Sequence, residues 1–125
     1  MNFDRIMNRS EKIHEIVAEL SDVNLQRKLW LNENNDTGLI SSYTELMCTL
    51  FDDLGFDEFL VNSAKLEDLS DSTIRELVIM RDMLNDYKAE ETDREIIEDP
   101  KWRKIVFQAK QVLKVWKRND NDCAS

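Results

Sequence analysis

Glycine, proline, cysteine and histidine are scarce in this 125-residue chain, which contains two, one, two and one of them, respectively. So little glycine and proline leaves few residues for the tight turns of a many-stranded sheet. Two cysteines, Cys48 and Cys123, are too few for a disulfide framework and are typical of a reducing compartment. His14 has no histidine or cysteine at ligand spacing, so we expect no metal and no cofactor.

Long apolar runs and a positive net charge are also missing. No segment approaches the ~20 apolar residues of a membrane span, and residues 1–20 lack the apolar centre of a signal peptide. The formal net charge is −9 and the sequence pI is about 4.6, so nucleic acid and anionic membranes would be repelled. We therefore expect a cytoplasmic protein that binds neither of them directly and that attracts a basic macromolecule.

The apolar residues recur at three- and four-residue spacings, which predicts helices along the whole chain. Ser42 and Glu45 have capping-box spacing, which predicts a helix that begins near Tyr43 and ends where Gly55 takes the left-handed conformation. We expect an all-α, single-domain bundle of five to seven helices over residues 1–118, followed by a flexible tail over 119–125. The predicted helices cover residues 4–20, 22–31, 43–54, 57–66, 73–88, 92–97 and 100–118.

The predicted helix over residues 73–88 carries apolar residues around more than half of its circumference. A helix of this kind usually packs between neighbours, so it is predicted to be the interior helix of the bundle. Met80 and Met83 are interpreted as part of the core, and the alternative is a methionine strip that binds a partner.

Charge is distributed unevenly along the chain. Residues 1–100 hold 24 acidic and 10 basic residues, a formal charge of −14, whereas residues 101–118 hold seven basic residues and no acidic one. A single basic helix on a body of opposite sign is a poor phosphate binder, so we do not interpret it as a nucleic-acid site. Phe107 lies on the polar side of this helix, which leaves two alternatives, exposure for binding or packing against another helix.

Acidic residues gather in two regions that we interpret as candidate partner-binding surfaces. We favour the region at the end of the helix before Gly55, named the acidic corner below, because side chains on a packed helix end lose less entropy on binding than those of a flexible connection. The neighbouring Phe56 and Phe59 are an argument against it, because they predict that this region is occupied by its own packing. The acidic corner comprises Asp52, Asp53, Asp57 and Glu58, and the acidic connection comprises Glu90, Glu91, Asp93, Glu95 and Glu98.

Recognisable catalytic motifs are missing from the sequence. It contains no phosphate loop, dinucleotide fingerprint, Cys-x-x-Cys pair, His-Glu-x-x-His stretch or nucleophile elbow. The carboxylates of the acidic corner could in principle hold a divalent cation or share a proton. Neighbouring acids on a helix point in different directions, however, and no histidine is adjacent to them. We therefore expect no enzymatic activity and no bound metal.

Five stretches of the chain form a further pattern: Leu29-Trp30, Ser41-Ser42-Tyr43 with Glu45-Leu46, Leu50-Phe51-Asp52-Asp53, Phe56-Asp57-Glu58-Phe59, and Asp99-Pro100 with Trp102. In these stretches the chain resembles small bacterial immunity proteins encoded beside the toxins of contact-dependent growth inhibition. The resemblance spans about Leu20 to Trp116 and implies a non-catalytic inhibitor whose partner is a toxin domain, commonly a nuclease. It assigns no toxin-contacting residue to any position of this chain.

The acidity of the chain agrees with this expectation, because a nuclease must attract phosphate and is commonly basic. An acidic inhibitor would associate quickly with such a basic toxin through electrostatic steering. The alternative is an acidic helical adaptor or regulator that sequesters a basic nucleic-acid-binding protein of the host. Gene neighbourhood distinguishes the two hypotheses, since an immunity gene should lie beside the gene of a large secreted toxin.

Overall fold

The computed structural model describes residues 8–116, and these residues form seven α-helices and no strand. The predicted all-α class is thereby confirmed. None of the described helices combines the length and apolar character that crossing a membrane requires. The predicted tail, 119–125, lies outside the described residues. The helices are α1 (Arg9–Leu20), α2 (Val23–Leu31), α3 (Tyr43–Met47), α4 (Phe56–Glu58), α5 (Asp71–Asp86), α6 (Asp93–Glu98) and α7 (Pro100–Val115).

Side chains that accept hydrogen bonds from first-turn amides fix where most helices begin. Thr92 and Glu95 form a full capping box at α6, as their spacing predicts, and Asn8 and Glu11 form another at α1, which the sequence analysis did not predict. The Asp99 side chain caps α7, which has Pro100 as its first residue. Among the described contacts at α3, the Ser42 hydroxyl accepts from the Glu45 amide at 3.0 Å without the reciprocal bond, so that predicted capping box forms only in part.

Several predicted boundaries shift in the structure. Because Asn8 is the N-cap, α1 begins at Arg9, whereas the predicted start near Asp4 lies outside the described residues. Similarly, α5 begins after its N-cap Ser70 and ends at Asp86, two residues before each predicted boundary. The last helix ends at Val115, and Trp116 leaves the helical conformation with ψ 93°, so the predicted end at Arg118 is wrong.

The segment between Tyr43 and Glu67 is helical but not a regular α-helix. After α3 the chain widens into a π-helix over Cys48–Asp53, and after α4 it widens again over Phe59–Ser63. A 3-10 turn, Lys65–Glu67, follows. Gly55 separates the two wide segments with φ +58°, in the left-handed conformation predicted for it. These wide turns orient Leu50, Phe56 and Phe59 so that all three are fully buried.

The helix that packs against the most neighbours is α7, and the prediction that the helix over residues 73–88 is interior is wrong. α7 packs against α1, α5 and α6. By contrast, α5 buries one face through Thr73, Leu77, Met80 and Leu84, while Ile79 is 41% exposed on another face. The interpretation of Met80 as a core residue is confirmed, and Met83 is partly buried against the core. The buried residues of α7 are Trp102, Ile105, Val106, Ala109 and Val112.

A fully buried glutamine connects three helices. Gln26 Nε2 donates to the carbonyls of Glu19 and Leu20 at 3.0 Å each, and its Oε1 accepts from Trp102 Nε1 at 3.0 Å. It therefore satisfies the C-terminal carbonyls of α1 and the indole N–H of α7 from a position on α2. Around Trp102 lie the rings of Trp30, Tyr43 and Tyr87, with centroids 5.5–5.8 Å away. This aromatic cluster holds the chain at Tyr43, where a long surface loop ends.

Candidate functional site

The acidic corner is partly neutralised by two arginines from distant parts of the chain. Arg9 on α1 donates to Glu58 at 2.8 Å, and also to the Leu54 carbonyl at 3.1 Å and the Ser63 hydroxyl at 2.7 Å. Arg81 on α5 donates to Asp57 at 3.1 Å and to Asp82 at 2.9 Å. Two of the four carboxylates that define the corner are thus occupied by internal ion pairs. The hydrogen bond from Arg9 is the main reason why the pKa of Glu58 lies below its usual value.

Asp52 and Asp53 are the exposed carboxylates of the acidic corner that form no ion pair with any described residue. Sequence analysis missed the two arginines, which are separated from their partners by 49 and 24 residues, respectively. No local spacing indicates such pairs. The corner is therefore less negative than its sequence indicates.

The acidic connection is ordered, so the premise that it is flexible is wrong. Its centre is helix α6, fixed by the Thr92–Glu95 capping box and by the burial of Ile96 and Ile97. The Asp93 carboxylate accepts from the Tyr43 amide at 3.4 Å, which joins α6 to the start of α3. At the end of α6, Asp99 accepts from the Tyr87 hydroxyl at 2.8 Å. Burial, supported by this bond, raises the pKa of the Tyr87 phenol, which keeps it a donor.

Three carboxylates of the acidic connection are exposed and form no ion pair with any described residue, and these are Glu90, Glu91 and Glu98. Arg94, the basic residue within the connection, is paired with Glu33 at 2.9 Å. Glu95 is held by its capping bond and Asp93 by the Tyr43 amide. The acidic connection therefore has the fixed backbone that the sequence predicts for the acidic corner alone. It also has three exposed carboxylates without an ion pair to any described residue, whereas the corner has two.

The loop over residues 32–42 presents an apolar pair that sequence analysis missed. Leu39 and Ile40 are 64% and 74% exposed, whereas most large apolar side chains of the described chain are buried or half-buried. Two adjacent apolar residues in an otherwise polar, Asn-rich loop are the sequence signal that could have identified them. The loop is joined to the first turn of α6 near both of its ends, through the Glu33–Arg94 ion pair and the hydrogen bond from the Tyr43 amide to Asp93.

The outer side of α7 carries the exposed basic residues of the predicted last helix. Phe107 is 61% exposed among them, which decides between the two alternatives left open for this residue. Within the described chain, Lys101, Lys104, Lys110 and Lys114 form no ion pair. The molecule therefore has a basic side, as the charge distribution predicts, in addition to its two acidic surfaces.

Residues 8–116 contain no group of three or more His, Cys, Asp or Glu side chains placed to hold a metal ion. A shallow groove of about 230 Å³ lies between α1 and the segment that follows α3, lined by Glu15, Ile16, Glu19 and Leu54 among others. This volume is smaller than the ~300–1,000 Å³ typical of small-molecule sites. Cys48 is exposed with a free thiol, and Cys123 lies outside the described residues.

The ion pair between Arg9 and Glu58 gives a prediction about acid sensitivity. Because the pKa of Glu58 is lower in the folded chain, its contribution to stability is fully present above the ordinary carboxyl pKa and is lost as the pH falls through the lower pKa of the folded state. We expect the melting temperature of Glu58→Gln to fall less than that of the native protein between pH 5 and pH 3. Thermal unfolding followed by circular dichroism measures this difference.

Arg9→Gln provides the matched control for this pH dependence, since it removes the partner and leaves the carboxylate. It should flatten the acid-induced loss in the same way. Equal slopes for the native chain and both variants would show that the pair contributes nothing to the acid sensitivity.

The fold and its surfaces define a small all-α protein whose last described helix packs against three others, with two acidic regions and an exposed apolar pair in the loop between α2 and α3. Comparison of the chain with protein-family models, with curated proteins and with solved structures finds no match.

Proposed function

We propose that this protein is a cytoplasmic, non-catalytic immunity protein that binds and neutralises a basic partner toxin by a stoichiometric interface. The toxin class we propose is a nuclease of a contact-dependent growth inhibition system. The observation that carries the proposal is a set of exposed carboxylates that form no ion pair with any residue between 8 and 116, namely Asp52, Asp53, Glu90, Glu91 and Glu98. The resemblance to immunity proteins supplies the class of partner.

Physical reasoning connects the acidic surface to inhibition. A chain with a formal charge of −9 attracts a basic domain over about one Debye length, roughly 8 Å at physiological salt. Such attraction raises the association rate, which matters for an inhibitor that must bind before its target acts. A nuclease concentrates positive charge where its phosphate substrate binds. A rigid acidic surface is therefore suited to covering that region.

Of the two acidic regions, we propose that the acidic connection faces the toxin. The internal pairs of Asp57 with Arg81 and of Glu58 with Arg9 reduce the field of the acidic corner. The connection keeps three exposed carboxylates that form no ion pair with any described residue: Glu98 lies on α6, whereas Glu90 and Glu91 precede its N-cap, Thr92. Because the capping box fixes the backbone next to them, their side chains lose less entropy on binding. The corner, which the sequence favoured, remains the competing surface.

Two matched double variants should locate the interface. Asp52→Asn with Asp53→Asn, and Glu90→Gln with Glu91→Gln, each remove two negative charges from exposed residues without ion pairs. Because the change in net charge is identical, any difference in association rate reports position. We expect the Glu90/Glu91 variant to lower the association rate by about threefold or more at low salt, with a smaller effect from the other. Stopped-flow kinetics with a catalytically inactive form of the toxin domain encoded by the neighbouring gene measures this.

Circular dichroism and thermal unfolding of both variants provide the control for folding. Equal reductions in the two variants would contradict the assignment to the connection and indicate steering by the overall charge. If the association rate changes neither with salt nor with the substitutions while binding stays tight, the acidic surfaces take no part in association. Phe107 and the basic last helix would then be the candidate contact surface. Binding to a basic nucleic-acid-binding host protein, with no toxin gene adjacent, would favour the adaptor hypothesis.

A further inference from the structure

The loop between α2 and α3 exposes two large apolar side chains that contribute little to the core. Leu39 is 64% exposed and Ile40 is 74% exposed, whereas Leu29 and Leu46, in the helices on either side, are 6% exposed. Placing adjacent large apolar groups in water has a free-energy cost that burial against a partner removes. Paired exposed apolar residues of this kind are a recurrent feature of protein-binding surfaces.

The loop is held in one shape by its own hydrogen bonds. Asn35 Nδ2 donates to the Leu39 carbonyl at 2.6 Å and to Asn32 Oδ1 at 3.1 Å, while Asn35 Oδ1 accepts from the amide and the hydroxyl of Thr37. The Leu39 amide donates in turn to the Thr37 hydroxyl at 3.0 Å. These bonds fix the backbone of Leu39 and of the loop residues that precede it. A loop ordered before binding loses less conformational entropy when a partner docks on it.

The same loop is joined at both ends to neighbouring helices. The Ser41 amide donates to the Leu29 carbonyl at 2.9 Å, which fixes the residue that follows Ile40 against α2. Glu33 pairs with Arg94 at 2.9 Å, and the Tyr43 amide donates to Asp93 at 3.4 Å. The loop therefore begins and ends against the first turn of α6.

These attachments place the apolar pair within chain reach of Glu90 and Glu91, which form no ion pair with any described residue. Ile40 and Glu90 each lie three residues from the contact between Tyr43 and Asp93, and three residues span at most roughly 10 Å. One standard interface covers ~800 Å² on each partner, a patch roughly 30 Å across. A single partner can thus cover Leu39, Ile40 and the carboxylates of Glu90 and Glu91 together. An apolar centre with a charged rim is the usual composition of such a patch.

Charge complementarity decides what partner this surface fits. The acids of the loop itself are paired, Asp36 with Lys28 and Glu33 with Arg94. The negative charge available to a partner therefore comes from Glu90 and Glu91, so a partner that covers them together with the loop is basic at the rim and apolar where Leu39 and Ile40 enter. Phe107, the exposed aromatic residue of α7, lies instead among Arg103, Lys110 and Lys114 and would face an acidic partner. Val61 and Leu66 are also exposed, but they adjoin the acidic corner, whose acids are partly neutralised by Arg9 and Arg81.

We infer that Leu39 and Ile40 are the apolar contact of the toxin interface, docking into an apolar depression on the basic toxin while Glu90 and Glu91 engage its basic rim. This inference rests on the proposed function. It adds the residues that determine how slowly the complex dissociates, because steering charges act chiefly on association and buried apolar contacts act chiefly on dissociation.

The experiment compares Leu39→Ala with Ile40→Ala, made together, against Val61→Ala with Leu66→Ala, made together. Both double variants truncate one leucine and one exposed β-branched residue, and all four side chains are more than 60% exposed. Surface plasmon resonance with the inactive toxin domain of the neighbouring gene gives both rate constants. We expect the loop variant to weaken binding at least tenfold, almost entirely through faster dissociation, since central contacts of an interface each cost more than about 1 kcal/mol. The Val61/Leu66 variant should bind like the native protein.

Two outcomes of this comparison contradict the inference, and a third contradicts the proposed function. If the Val61/Leu66 variant dissociates faster and the loop variant does not, the interface lies at the acidic corner and the inference is wrong. If both bind like the native protein, the toxin contacts neither apolar surface and the inference is again wrong, although the proposed function stands. If the native protein does not bind the toxin domain at all, the proposed function itself fails.

Asn35→Ala separates loop order from apolar contact. It removes the hydrogen bonds that shape the loop and leaves Leu39 and Ile40 in place. We expect it to weaken binding about threefold to tenfold without changing the melting temperature of the bundle by more than a few degrees. Affinity equal to that of the native protein would show that the ordered loop is not required for docking.

Discussion

Replacing Gln26 with alanine is expected to lower the free energy of unfolding by about 3–5 kcal/mol, one of the two largest effects we predict. The fully buried side chain satisfies Trp102 Nε1 and the Leu20 carbonyl, both at 3.0 Å. Among the described contacts Gln26 is the hydrogen-bond partner of each of these two groups. An unsatisfied buried polar group costs about 1–3 kcal/mol, and the removed side chain also leaves a cavity. Chemical denaturation followed by circular dichroism measures the loss.

Gln26→Met is the control that separates the two causes. Methionine fills a similar volume but neither donates to the carbonyls nor accepts from the indole. If hydrogen bonding dominates, Gln26→Met should lose more than half of what Gln26→Ala loses. A methionine variant as stable as the native protein would show that the three polar groups find other partners and that filling the space is the main role of Gln26.

Leu50→Ala is expected to cost about 2–5 kcal/mol of unfolding free energy, as for other fully buried leucines. Leu50 has no exposed surface, and it lies in the π-helical segment Cys48–Asp53 between α3 and the Gly55 turn. The cost depends on how far the surroundings collapse into the space left behind. Cys48→Ala, at an exposed position of the same segment, is the matched control and should change stability by less than about 0.5 kcal/mol.

A loss below about 1 kcal/mol for Leu50→Ala would contradict the packing described for this segment. A similar loss for Leu50→Ala and Cys48→Ala would instead indicate that the wide turn itself is sensitive to any substitution. Urea denaturation of all three chains, compared at a common slope, distinguishes these results.

Both core positions connect to the proposed interface. Gln26 holds Trp102, whose ring lies 5.6 Å from that of Tyr43, and the Tyr43 amide is the point at which the 32–42 loop joins α6. The segment that Leu50 anchors carries Asp52 and Asp53 of the acidic corner. The core therefore sets the orientation of both acidic surfaces. A variant that loosens the Gln26 network should affect the loop before it affects the corner.

Local sequence patterns determined the class of fold and most of the helix starts. The spacing of Thr92 and Glu95, the Asp99-Pro100 pair and the position of Gly55 each specify a backbone conformation through contacts within a few residues. The apolar periodicity of residues 102–116 likewise predicted the buried face of α7. Such features can be recognised in a sequence because the interacting atoms belong to the same turn or the same helix.

Tertiary structure alone decided which helix packs against the most neighbours, where the chain widens into π-helices and which acids pair with other described residues. Apolar residues around most of α5 did not reveal that Ile79 faces outward, because burial depends on which helices happen to flank each side. The neutralisation of Asp57 and Glu58 by Arg81 and Arg9, and the attachment of the apolar loop to α6, join residues far apart in the chain. Distances of this kind follow from packing the whole bundle, so no local spacing encodes them.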